Sequence, residues 1–280
     1  MALQIATRSG RSLVVDEDGS GPPLVAVHGL GGGAYFFTGM ARRLRDRCHT
    51  FLVDLPGTGR SRPGSVPDAL DGWVDDLGDL FAHIGEPIIF VGHSMGTMLA
   101  LLAWRAWPEW MRACVFVGGL PRVRPAIRAR LTERAEDIAA HGLDGFGPRV
   151  SPGNFSPSTL RTRPEMVGTF ERLFEVQDAD VYVRSIGLLL SGDTAAIAPT
   201  LTIPCLSLSG RDDSYAPPDA VKAFVDTIPG PPPMHVIDDC GHLPFFEAPE
   251  IFAREVERFV GEVTGTGLGQ KKDGSASPRA

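Results

Sequence analysis

The sequence predicts an α/β chain: a doubly wound, mostly parallel sheet interrupted by a helical insertion. Three observations predict it. Short apolar runs bounded by Gly, Pro and Asp alternate with longer helical stretches, as expected of strands buried on both faces and joined by crossover helices. That alternation lapses across 121–200, where amphipathic helical pieces follow one another without a convincing strand. Last, the run "PIIFV" passes through Gly92-His93-Ser94-Met95-Gly96 straight into a second apolar run, a strand–turn–helix joint with polar residues at its centre.

Taken in order, "LQIAT" and "SLVVDE" straddle Ser-Gly-Arg-Ser and read as an opening hairpin. "PLVAV", "TFLVDL", "PIIFV", "ACVFVGG", "PCLSLSG" and "PMHVIDD" supply the remaining strands. Helices are expected near 35–46, 68–84, 95–107, 217–228 and 249–263. Residues 1–120 and 201–263 then form the core, and 121–200 a helical cap over the C-terminal edge of the sheet. Within that cap, "HGLDGFGPRVSPGNFSPST" is rich in Gly, Pro and Ser and is expected to be a long loop. Over 264–280 the chain turns polar and Gly/Ser-rich, the composition of a disordered tail. No internal repeat is present.

With 43% hydrophobic and 22% charged residues in 280, the chain holds enough for one large domain or two small ones. A net charge of −7 without a basic stripe weighs against nucleic acid or an anionic membrane as partner. "MALQIATRSG" has no basic start followed by a long apolar stretch, so it does not read as a signal peptide. Every apolar run falls far short of the ~20 residues of a membrane span. Cys48, Cys114, Cys205 and Cys240 are scattered without C-x-x-C spacing, which suits reduced, buried thiols in a cytoplasmic protein and offers no metal set.

Burying a hydroxyl and an imidazole at a structural joint costs about 1–3 kcal/mol each when they lack partners, so the polar centre of G-x-S-x-G calls for a chemical reason. Small residues two before and two after Ser94 let strand and helix close on a sharp turn that projects its Oγ, while the helix N-terminus favours negative charge there. The plain alternative is a Gly-flanked turn with an incidental serine. A serine hydroxyl needs a base. Of seven histidines, His242 alone follows a strand end on the edge where Ser94 emerges; His28 and His93 lie too close to the turns themselves, and His235 is committed to a strand face. The acid should leave a strand at the same edge, which offers Asp212 and Asp213, whose plain alternative is a turn capping backbone N–H groups. An oxyanion needs two N–H donors. Met95 supplies one, and Leu30, in the Gly-rich loop after "PLVAV", the other. That loop lacks a P-loop pattern, as does "DLPGTGRS", so nucleotide binding is not expected.

Together "HGLGG", "DLPGTGRS", "GHSMG", "GRDDSYAP" and "GHLPFFEAPE", in this order, make the chain similar to serine members of the α/β-hydrolase superfamily from Leu13 to Val263. In that family the acid is the Asp of G-x-x-D-x-x-x-P, which the resemblance maps onto Asp213. It likewise implies Ser94 as nucleophile, His242 as base, Leu30 and Met95 as oxyanion donors, a helical cap and no cofactor or metal. Thr97 departs from the pattern, standing where many relatives have a further Gly. The segment "IPCLSLSGRDDSYAPPDAVKAFVDTIPG" resembles the branch containing 3-oxoadipate enol-lactone hydrolases.

The activity this implies is cleavage of a small carboxylic ester or lactone. Rivals are hydrolysis of a carbon–carbon bond in a vinylogous diketone, thioesterase or acyl-transfer chemistry, and a non-catalytic receptor on the same fold. Tyr35, Phe36, Phe37, Phe146 and Phe155, with Phe170 and Phe174, are candidates to line the substrate pocket or simply to pack the core. Residues 121–200 carry ten Arg, ten acidic residues and no Lys, so net charge there selects no anionic substrate. The sequence leaves the oligomeric state open.

Overall fold

The computed structural model describes residues 2–62 and 64–265. The expected tail falls almost wholly outside them. The chain opens with a hairpin of β1 (Ala2–Ala6) and β2 (Ser12–Gly19), then β3 (Pro23–Val27), α1 (Thr38–Leu44), β4 (His49–Asp54), α2 (Leu70–Ile84), β5 (Ile88–His93), α3 (Met95–Ala106) and β6 (Met111–Val117). Five helices follow with no strand: α4 (Pro125–His141), α5 (Gly147–Asn154), α6 (Pro157–Thr162), α7 (Pro164–Glu175) and α8 (Ala179–Ser191). The chain returns through β7 (Cys205–Gly210), α9 (Pro218–Val225), β8 (Met234–Ile237), α10 (Pro244–Glu247) and α11 (Pro249–Thr264).

These strands form one eight-stranded sheet in the order β1-β2-β4-β3-β5-β6-β7-β8. Only β1–β2 and β2–β4 pair antiparallel; the rest is parallel. The sequence pattern explains the order. β1 alternates exposed and half-buried residues, as an edge strand can. β3 and β5 are buried along their full length, as central strands covered by helices must be. α2 buries Trp73, Leu77, Leu80 and Phe81, and α11 buries Phe252, Val256, Phe259 and Val260, both at helical spacing. From β3 the chain steps to β4 on one side and later to β5 on the other. Loops leaving the C-terminal ends of β3 and β5 therefore diverge, and the crevice between them is where open α/β sheets hold ligands.

The stretch expected to be one long loop, 141–159, is largely helical, contributing α5 and the start of α6. Two of its three prolines sit where a helix tolerates them, while Pro152 lies inside α5. Pro148 and Pro157 occupy first-turn positions, where a missing N–H costs nothing, and Ser156 Oγ caps α6 by accepting from Thr159 N at 3.1 Å. The insertion has a single neck: Arg122 and Asp193 form a β-bridge, and Thr194 N donates to Pro121 O at 2.8 Å. Among the described residues no helix is long and apolar enough to cross a membrane.

Candidate active site

β5 runs into α3 through Ser94, whose φ of 53° puts a non-glycine residue in the left-handed region. Among the described residues only Asp239 shares this. Such a conformation costs roughly 1–3 kcal/mol and persists only where packing enforces it. Packing does so here. A Cβ on Gly92 would overlap Gly96 O, and one on Gly96 would stand 2.5 Å from Val27 O. Ser94 N donates to Val117 O at 2.9 Å, and Thr97 N donates to Ser94 O at 2.9 Å. Thr97 fits because β6 is followed by Gly119, where a Cβ would overlap its side chain; its Oγ1 donates to Gly92 O at 3.3 Å.

The loop after β3 closes on the other side. A Cβ on Gly29 would stand 2.7 Å from Ser94 Cβ. His28 anchors this loop: its Nε2 accepts from Leu55 N at 3.2 Å, so the proton lies on Nδ1, which donates to Gly29 O at 2.7 Å. Asp54 holds the loop's far end, accepting from Ala34 N and from Arg60 Nε at 2.7 and 2.8 Å. This is the part "DLPGTGRS" plays. Met95 opens α3, so its N–H has no acceptor within the helix.

His242 follows β8 and its N–H donates to Asn154 O of α5 at 2.8 Å. Its Nδ1 lies 2.7 Å from Asp213 Oδ2, and both residues are buried. Asp213 has two tasks. Its Oδ1 accepts from Tyr215 N and Ala216 N, at 2.8 and 2.9 Å, while Oδ2 faces the imidazole. Asp212 is exposed. The turn-capping alternative and the orienting role thus fall on the same residue, one oxygen for each. Gly118, at φ 52°, makes room: a Cβ there would stand 3.0 Å from Asp213 Oδ2 and 3.2 Å from His242 Nδ1.

Sequence reasoning set His93 aside, yet it acts on His242 through the backbone. His93 Nε2 lies 2.9 Å from His242 O and the rings are 4.7 Å apart. Burial, then the neighbouring imidazole, push His93 well below the usual histidine range, so it is neutral and donates through Nε2. Among the described residues its buried Nδ1 has no hydrogen-bond partner. The signal available in the sequence was its place directly before Ser94.

Ser94, His242, Leu30 and Met95 line one cavity, roofed by α4, α5, α7 and α8, with Asp213 behind His242. Of the aromatic candidates, Phe36, Phe170 and Phe174 line it. Phe37 instead packs against Phe245 in the core, Tyr35 stacks on Phe246, Phe146 lies under Arg149, and Phe155 meets the edge of Phe170. Neighbouring residues of a tight helical turn point to different sides, which Phe36 and Phe37 do here. The cavity also holds Arg134, Tyr182 and Tyr215, none of which the sequence singled out. Among the described residues no three His, Cys, Asp or Glu are grouped as metal ligands. Ser94 on its strained turn and the Asp213-bound His242 line one cavity, and a hydroxyl, an imidazole and a buried carboxylate are the groups that nucleophilic acyl transfer uses.

A model of the "Alpha/beta hydrolase family" matches residues 24–255. A pimeloyl-[acyl-carrier protein] methyl ester esterase from Stenotrophomonas maltophilia is 28% identical over 270 residues, covering 91% of this chain and 99% of that one. A 2-hydroxy-6-oxononadienedioate/2-hydroxy-6-oxononatrienedioate hydrolase from Pseudomonas is 28% identical over 274 residues, covering 89% and 92%. Among solved structures, the enol-lactonase from Burkholderia xenovorans superposes with a TM-score of 0.83 at 19% identity, over 92% of this chain and 99% of that one, a likeness of fold.

Proposed function

Given that the chain belongs to the alpha/beta hydrolase family and is an esterase-type hydrolase, we propose that it cleaves a small carboxylic ester or lactone through an acyl-enzyme on Ser94. The observation that carries this reading is the strained Ser94 turn opening onto the same cavity as the Asp213-bound His242. Ser94 Oγ attacks the substrate carbonyl carbon while His242 Nε2 takes its proton and Asp213 steadies the imidazolium. Leu30 and Met95 N–H groups hold the oxyanion. His242 returns the proton to the departing alkoxide, leaving the acyl group on Ser94. Water then attacks that ester with His242 again as base, releasing the acid and restoring the Ser94 hydroxyl. Helices α4–α8 act as a cap that chooses the substrate.

The test is turnover of p-nitrophenyl esters of graded length beside a panel of lactones, in wild type and Ser94→Ala. Hydrolysis by wild type and loss of several orders of magnitude in the variant supports the reading. Unchanged turnover in Ser94→Ala overturns it. A second reading, carbon–carbon hydrolysis of a vinylogous diketone, is favoured by one observation. That reaction needs polar groups near the nucleophile to handle a carbanion leaving group, and Arg134, Tyr182 and Tyr215 share the cavity with Ser94. A hundredfold preference for a 2-hydroxy-6-oxo-dienoate over short esters and lactones selects it.

A further inference from the structure

Arg134 is a cation where cations are rarely left alone. It lies in α4, is only 7% exposed and lines the cavity. Buried guanidinium groups are normally matched by a carboxylate, because removing an uncompensated charge from water is expensive. Here, among the described residues, its hydrogen-bond partners are two phenols: Nη1 donates to Tyr182 Oη at 3.3 Å and Nη2 to Tyr215 Oη at 2.9 Å. Burial raises the Tyr182 phenol, so it is neutral and supplies no counter-charge. Two of the five N–H donors of a guanidinium are used. The other charged lining residues have the same sign, Arg122 being paired with Asp193 at 3.4 Å. Arg122 and Arg124 also line the cavity, and among its described lining residues there is no Asp or Glu. Arg130 lies over the Tyr215 ring at 4.9 Å.

The two phenols locate Arg134 relative to the reacting groups. The Tyr215 ring lies 4.9 Å from that of His242. Tyr182 leans over the loop after β3, where a Cβ on Gly31 would stand 2.9 Å from its ring. The guanidinium therefore bridges side chains that touch the base on one side and the oxyanion loop on the other. From this arrangement we propose that Arg134, framed by Tyr182 and Tyr215, is an anion subsite that receives a carboxylate carried by the substrate. It rests on the Ser94 reading above and narrows it: the substrate class is an ester or lactone bearing a free carboxylate. Neutrality of the insertion as a whole does not bear on this, since its acidic residues lie outside the cavity lining.

Binding and turnover are measured separately, so the two readings can fail independently. Monomethyl succinate, glutarate and adipate, and their neutral dimethyl esters, are titrated by calorimetry into Ser94→Ala, which holds substrate without consuming it. At least one monoester is expected to bind about 10- to 100-fold more tightly than its diester, the range of a charge-assisted hydrogen-bonded pair. Adding Arg134→Met should remove that advantage, and Arg134→Lys should keep part of it as a point charge without the fork. Melting temperatures check that each variant is folded, and Tyr182→Phe combined with Tyr215→Phe, which should weaken the preference without removing a charge, serves if Arg134→Met is not. No preference for any monoester, or a preference that survives Arg134→Met, overturns the subsite. Binding as expected, with p-nitrophenyl ester turnover unchanged in Ser94→Ala, leaves the subsite standing and overturns Ser94 as nucleophile.

Discussion

Asp213→Asn should reduce kcat by about four orders of magnitude, and the reason lies in which oxygen does what. Oδ1 accepts from two backbone N–H groups, of Tyr215 and Ala216. An asparagine at this position will therefore keep its carbonyl oxygen there and turn its NH2 toward His242. Nδ1, which now lies 2.7 Å from a carboxylate oxygen, would then face a donor. The imidazole answers by moving its proton to Nε2, the atom that must be free to accept from Ser94. Losing the correct tautomer and the counter-charge for the imidazolium costs about 10⁴ in kcat, or roughly 5.5 kcal/mol of barrier at about 1.36 kcal/mol per tenfold. Exposed Asp212 makes the control, with Asp212→Asn expected within about twofold of wild type. Steady-state kcat on p-nitrophenyl acetate measures both, and ¹⁵N chemical shifts of His242 report the tautomer directly. Retention of more than about a tenth of wild-type kcat in Asp213→Asn, or the loss appearing in Asp212→Asn instead, refutes the assignment.

Ser94→Gly should be inactive yet melt about 2 °C higher, because glycine relieves the φ of 53°; an unchanged or lower melting temperature would show that no strain is stored there. Gly119→Ala should destabilise by about 1–3 kcal/mol in urea unfolding through overlap with Thr97, and most of that should vanish with Thr97→Gly; two additive losses would mean the clash is not the cause. Stability should fall as pH drops below about 6.5. Burial holds both His93 and His28 below the ordinary range, so the unfolded chain takes up protons that the folded one refuses, at up to about 1.4 kcal/mol per pH unit for each. Urea midpoints at pH 7, 6 and 5 measure the slope, and His93→Gln should remove about one proton's share; an identical slope in that variant counts against it.

Much of this architecture was legible because each strand announced itself. "PLVAV" and "PIIFV" are unbroken apolar runs, and only two-sided burial makes sense of them. Ser94 and His242 stood out for a similar reason, each placed after a strand on one edge, whereas position left Asp212 and Asp213 open and only the resemblance to the family pointed to Asp213. The helix expected at 35–46 begins instead as a 3-10 turn, Ala34–Phe37, before α1, and 141–159 hid two helices behind three prolines, two at first turns and Pro152 inside α5. What the sequence concealed is what depends on helices docking across the cavity. Nothing local distinguishes Phe36, which faces the cavity, from Phe37, which does not. Arg134 vanished into a neutral sum of ten and ten, since burial of one charge is a tertiary fact. His93 looked redundant because its task is to hold the main chain of a residue far away in sequence.

The neck at Pro121, Arg122, Asp193 and Thr194 has a consequence for how such a chain diversifies. A segment that departs and returns at one hydrogen-bonded point transmits little of its own length or shape to the strands on either side. Duplication, deletion or wholesale exchange of the intervening helices leaves the register of β6 and β7 untouched, while altering the walls those helices supply; Leu30, Phe36, Tyr215 and Leu243 stay with the scaffold. Natural variation can therefore explore new chamber shapes at little risk to the strand register, as long as a carbonyl replaces Asn154 O as the acceptor for His242 N. The same neck marks where a chimera should be joined: cuts at 121 and 194 exchange the roof as one cassette.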